Sequence, residues 1–361
     1  MLKKVILLAL TAWLFVYPST QSQSDVVVTL ETTPASGFIG PDETLTHTTL
    51  RVVDRDGQAI SNAYLKLHLD APSGNAFIST DFPIVENTPL FEYEGALPEG
   101  VLAFDFIYPI RGTYRFQVEA GRNAATPAFA DTLTLTLTEN RNEIINFAGL
   151  VALLLGLGIV AGFIIGRGAN ARRMAMTGLN MWLGLGLISG STWPVQAHGG
   201  DDVSDTEPFT ELSTQGDLSL AYAMTPGAGR VGTLNQLNFT VTDQAGNPVP
   251  DTTIDISVWH IEDDKPVFAT TLAAPEGKTA FEFQFFDGAE HEVRVTAHNA
   301  AGSVDLNKVV QVEGLSPPLS VKIKTTFYLV LIVLVGIIIG LRLQLVQGRR
   351  QQLLPVGPVG A

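Results

Sequence analysis

Two patterns of apolar and polar positions divide this chain. Residues 5–16, 144–166, 174–193 and 325–341 are almost continuously apolar, whereas 25–140 and 215–316 alternate apolar with polar residues and are broken by Gly, Pro, Asn and Asp. Alternation with a period of two is the signature of half-buried antiparallel strands, and no helical period competes with it in either region. Each region has the size of one sandwich, so the pattern predicts an all-β fold class: two antiparallel β-sandwiches with transmembrane α-helices attached.

The apolar stretches set the expected organisation. Residues 1–24 carry Lys3 and Lys4, a short apolar run and small polar residues, the grammar of a signal peptide or N-terminal anchor. Sandwich 1 follows at 25–140. A charge-free span at 144–166 is long enough to cross a bilayer, and 324–343 is a second such span flanked by Lys322, Lys324 and Arg342. Between them lie a basic loop at 167–173, a second signal-like helix at 174–194 and an acidic linker at 195–214. Sandwich 2 is expected at 215–316 and a cytoplasmic tail at 344–361. With Arg167, Arg172, Arg173, Arg349 and Arg350 inside, both sandwiches face the exterior of a multi-pass cytoplasmic (inner) membrane protein, toward the periplasm or outside.

Composition agrees with a membrane assignment. Hydrophobic residues make up 46 % of the 361 residues and charged residues only 16 %, with mean hydropathy +0.23. The exported portions are acidic, with 16 acidic against 6 basic residues in 25–140 and 19 against 5 in 196–316. That balance argues for soluble surfaces and against nucleic acid or anionic lipid as partners. There is no cysteine, so the cores alone must hold the sandwiches.

Two ungapped blocks recur in the same order. "LRVVDRDGQAISNAYLKLHL" (50–69) lies on "FTVTDQAGNPVPDTTIDISV" (239–258), and "AFDFIYPIRGTYRFQVEA" (103–120) on "AFEFQFFDGAEHEVRVTA" (280–297), as expected of duplication. In the first block Gly57 and Gly246 stand where a tight turn needs positive φ. In the second, Phe104, Phe106 and Tyr108 match Phe281, Phe283 and Phe285, and His291 occupies the place of Tyr114. These phrases resemble bacterial exported immunoglobulin-like β-sandwich modules, and more loosely CopC-like and YtkA-like domains, in two tandem membrane-anchored copies.

The CopC-like resemblance implies copper held by histidine, sometimes at an N-terminus freed by signal cleavage. "PVQAHGGDD" would place His198 at such a terminus after a cut behind Ala197, with Asp201 and Asp202 close by, and a terminal amine with imidazole chelates copper(II). His260 lies beside Glu262, Asp263 and Asp264 without calcium-loop spacing, and His47, His68 and His298 have no partner at recognisable spacing. No P-loop, dinucleotide fingerprint, nucleophile elbow or zincin motif is present, and no enzyme is expected. Gly158, Gly162 and Gly166, with Gly336 and Gly340, recur every fourth residue, as do Gly186 and Gly190, a spacing that lets membrane helices approach closely.

Two functions remain open from sequence. One is a non-catalytic, membrane-anchored binding or scaffolding protein, an accessory subunit with a membrane or extracytoplasmic protein partner. The other is a periplasmic copper-handling protein.

Overall fold

The computed structural model describes residues 25–75, 79–167, 207–300 and 302–352. Seven strands form the first half: β1 (Val27–Thr33), β2 (Leu45–Val53), β3 (Ala63–Asp70), β4 (Pro89–Leu97), β5 (Val101–Ile107), β6 (Gly112–Gly121) and β7 (Phe129–Leu137). β1, β2 and β5 pair side by side, facing the row β7, β6, β3, β4. Three strands against four is the immunoglobulin-like arrangement, and the alternation predicted it: Tyr114, Phe116, Val118 and Ala120 of β6 are all buried. The second half repeats the order with β8 (Phe209–Gln215), β9 (Leu218–Thr225), β10 (Gly229–Arg230), β11 (Asn235–Asp243), β12 (Thr252–His260), β13 (Lys265–Ala274), β14 (Lys278–Phe283), β15 (Glu290–Asn299) and β16 (Gly302–Glu313).

The repeated turns are built alike. Asp54 Oδ1 accepts the amides of Asp56 and Gln58 at 2.9 Å, and Asp243 Oδ1 accepts those of Ala245 and Asn247 at 2.9 and 2.8 Å. Gly57 and Gly246 supply φ of 77° and 81°. A short carboxylate caps both turns while glycine takes the left-handed position, so each block folds by the same local chemistry.

The halves are joined rather than strung apart. β5 pairs with β13 and β4 with β14, which merges the strands into two continuous eight-stranded sheets: β1-β2-β5-β13-β12-β15-β16-β10 and β7-β6-β3-β4-β14-β11-β9-β8. The first sheet takes three strands of the first half and five of the second, and the other takes four of each. Neighbouring strands are antiparallel except β10 with β16. β8 pairs with β9 through Phe209–Gln215, so part of the stretch read as acidic linker is sheet edge.

Two helices leave the same end of this double layer. α1 (Arg141–Ile165) follows β7, and α2 (Leu319–Gln352) follows β16 and extends well past the span read at 324–343. Both are long and apolar enough to be candidate membrane spans. They run parallel in contact, because successive positions of α1 meet successive positions of α2.

Candidate functional site

The seam between the halves is a reciprocal contact. Phe106 of β5 pairs with Phe268 of β13, and Phe91 of β4 pairs with Phe283 of β14. All four are fully buried, and their rings interlock with those of Phe104 and Phe281: Phe91 to Phe268 is 5.4 Å between centroids, Phe268 to Phe283 4.9 Å and Phe106 to Phe283 6.3 Å. Tilted and edge-on aromatic pairs at these distances add about 0.5–1.5 kcal/mol each beyond their buried area. The sequence pattern marked Phe104, Phe106, Phe281 and Phe283 as inward-facing but did not single out Phe91 or Phe268, and which edge strands would meet left no trace in it.

The glycines are placed in three ways. A Cβ on Gly158 would lie 2.9 Å from Gly336 Cα, and one on Gly336 would lie 2.9 Å from Gly158 Cα, so these backbones touch with no room for a side chain. Gly162 stands against Ile337, and Gly340 against Ile159, in the same reciprocal manner. Gly166 faces the side chain of Gln344, a contact of a different kind.

A polar cluster sits at the helix end of the seam. Lys265 Nζ approaches the backbone oxygen of Asp42 at 3.5 Å and the carboxylate of Asp263 at 3.0 Å, tying a turn of the first half to a hairpin of the second. Burial pushes the Asp42 carboxyl up to about 6; Lys265 opposes this, and Asp287, Asp263 and Asp81 reinforce it. His260 is buried; its Nδ1 accepts the amide of Asp263 at 3.1 Å, and its Nε2 lies 3.3 Å from Asp287 Oδ2 without a hydrogen bond.

His291 packs edge-on to His260 at 5.1 Å, with Nδ1 on Ala289 O, and burial pushes its pKa down to about 4. Its counterpart Tyr114 closes the corner of the first half, donating to Ile110 O at 2.5 Å and accepting the Ile110 amide at 2.9 Å. His291 is therefore placed as the sequence alignment placed it, as a buried corner residue.

Other titratable groups pair locally. His68 lies between Glu92 at 2.6 Å and Asp70 at 2.8 Å, beside Glu282 across the seam, while His47 meets Asp105 at 2.7 Å and His298 meets Asp255 at 3.4 Å. Carboxylates of Asp81, Glu139 and Glu143 gather within 4.8 Å, with Arg111 bonded to Glu139. His198, Asp201 and Asp202, the cut behind Ala197, the second signal-like helix with Gly186 and Gly190, and the N-terminal signal all lie outside the described residues.

Fold and seam define the class: an antiparallel, immunoglobulin-like β-sandwich protein carrying two long apolar helices. No family model and no curated protein sequence matches the chain. Among solved structures it is similar to the Escherichia coli adhesin FdeC, 13 % identical over 81 % of this chain and 65 % of that one, with a TM-score of 0.22. It is also similar to E. coli alpha-2-macroglobulin, 8 % identical over 80 % of this chain and 16 % of that one, TM-score 0.22. A two-domain fibronectin type III segment of chicken tenascin is 9 % identical over 78 % and 97 % of the two chains, TM-score 0.17. The chain thus spans less than two thirds of the length of the first two.

Proposed function

We propose that this chain is a non-catalytic membrane scaffold, built by tandem duplication, that presents two immunoglobulin-like halves as one rigid intramolecular dimer on the outer side of a bacterial cytoplasmic membrane. The supporting observation is that the β seam and the helix contact are reciprocal in the same sense: Phe91 is to Phe283 as Phe268 is to Phe106, and Gly162 is to Ile337 as Gly340 is to Ile159, with Gly158 and Gly336 touching each other. A duplicated single-span unit that once dimerised would leave this arrangement. α1 has 25 residues, enough to cross a hydrocarbon core about 30 Å thick. With α1 and α2 parallel and a β half before each, both candidate spans would enter the bilayer in the same direction, which supports a multi-pass topology.

In this reading the sheets and their end loops meet a protein partner in an accessory role, and the paired helices fix how the platform stands on the membrane. Protease added to intact spheroplasts should cut the turns around Gly57 and Gly246 but spare an epitope tag fused after Ala361. Protection of either turn, or cutting of the tag, would remove the topology. Affinity purification in mild detergent should return a stoichiometric envelope protein; a bare monomer would remove the scaffold role.

A further inference from the structure

The β4–β14 side of the seam is incompletely closed. Its ladder is two residues long, Phe91 with Phe283 and Glu92 with Glu282. Beyond it, β4 continues to Leu97 paired only with β3, and β14 begins at Lys278 paired only with β11. A cleft of about 350 Å³ opens between the parted strands, lined by Tyr93, Glu94 and Ala96 on one wall and Lys278, Thr279 and Ala280 on the other.

Strand geometry tells which backbone groups face this cleft. The Gln284 amide donates to Leu90 O at 2.9 Å, so Leu90 and Gln284 point across the seam. Both polar groups of a residue in an antiparallel strand point to one side, alternating along the chain. Glu94 and Ala96 of β4, and Ala280 and Lys278 of β14, therefore turn their N–H and C=O groups into the cleft. No strand pairs with them there among the described residues.

The equivalent place on the other sheet is joined one pair further and bridged by a side chain. β5 and β13 share three pairs, Phe104–Thr270, Asp105–Ala269 and Phe106–Phe268, and Thr270 Oγ1 then donates to Ala103 O at 2.9 Å. Ala280 matches Ala103, but Tyr93 stands where the second half has Thr270. The Tyr93 hydroxyl turns to Ala96 O of its own strand at 3.4 Å, so Ala280 O receives no such bond.

The geometry points to a strand-accepting site: an extended polypeptide segment enters the cleft and pairs its backbone with Glu94 and Ala96 on one side and with Ala280 and Lys278 on the other. Donors and acceptors alternating along two facing walls match another extended backbone, the chemistry of strand addition. The site continues the β4–β14 ladder, so the incoming segment extends an existing interface. Its outer rim carries Ala96 and Thr240, with Glu94 and Lys278 of opposite charge on the two walls, which selects an uncharged segment with small or β-branched side chains. Such pairing requires no membrane, so it stands or falls apart from the anchoring proposed above.

The test uses the full chain in detergent and a short, end-blocked peptide of alternating threonine and valine, with hydrogen exchange read by mass spectrometry over 93–97 and 278–281. Exchange in both segments should slow about fivefold with the peptide, and a backbone N-methylated version of the same peptide should have no effect. Tyr93→Thr, which restores the bridging hydroxyl, should abolish the slowing. Should Tyr93→Thr unfold, Ala96→Pro decides, since it removes one donor facing the cleft and leaves the β3 ladder intact; the slowing should then fall to near baseline. No slowing in the wild-type chain, equal slowing by the N-methylated peptide, or full slowing in a folded Tyr93→Thr or Ala96→Pro variant overturns the site.

Discussion

Phe91 and Phe268 lie face to tilted face across the seam, 5.4 Å apart, and each pairs with the strand that follows the other: Phe91 with Phe283, Phe268 with Phe106. One contact is thus made twice, and it sits at the centre of the hydrophobic core common to both halves.

Truncating either ring leaves a cavity that neither half can close alone. Phe91→Ala and Phe268→Ala should each cost about 3–5 kcal/mol in chemical denaturation. Because the rings touch, the double variant should cost less than the sum by about 1 kcal/mol or more. Independent unfolding of two halves, with only one half affected by each variant, is the outcome that would deny the shared core.

Helix contact depends on the absence of a side chain at four positions. Gly162→Leu or Gly340→Leu should force α1 and α2 apart, lengthening the distance between spin labels at the exposed Leu157 and Leu334 by about 3 Å or more. Gly149→Leu, at a position with open space, is the control and should leave that distance unchanged.

One buried and one half-buried group should give opposite pH responses. The His291 pKa is held near 4, below its unfolded value, so the unfolded chain binds the extra proton and stability falls as pH drops from about 6.5 toward 4. His291→Tyr, restoring the residue of the first half, should remove roughly 1–2 kcal/mol of that loss between pH 7 and 5. A denaturation midpoint that keeps its acid sensitivity in His291→Tyr would assign the loss elsewhere.

Asp42 behaves the other way. Its folded pKa, near 6, lies above the unfolded value, so stability falls as pH rises from about 4 to 6 and stays lowered above that. Asp42→Asn keeps a residue that tolerates the φ of 60° found there and should stabilise the chain at pH 7 by about 1 kcal/mol, after discounting for partial exposure. Equal stability of the two at pH 7 would contradict the burial argument.

Glu92 and Glu282 oppose each other directly across the β4–β14 ladder, and the Glu282 carboxyl is raised by burial and by Glu92, with His68 opposing. The folded state is then penalised above the Glu282 pKa and relieved as pH falls through it. Glu282→Gln should raise stability at pH 7 by about 0.5 kcal/mol and leave it unchanged at pH 3. A loss of stability in Glu282→Gln at pH 7 would show that the carboxylate has a partner the repulsion argument omits.

Much of the fold was legible beforehand because its causes are local. Alternation specified which side of β3, β6, β12 and β15 is buried, and the Asp–x–x–Gly phrases specified two turns that the structure builds with one set of hydrogen bonds. The corner role of His291 followed from its alignment with Tyr114. The extent of β8 was not legible: "FTELSTQ" is a weakly apolar edge strand, half exposed along its length, whose order comes from pairing with β9.

Strands, their faces, the helices and the glycine spacing could be read from the chain because each depends on residues a few positions apart. That β4 meets β14, that β5 meets β13 and that Tyr93 turns to its own strand at one of these joins emerges only when the halves pack together. Edge pairing is made through backbone groups that every residue carries, so side-chain pattern marks a strand as able to pair without naming its neighbour.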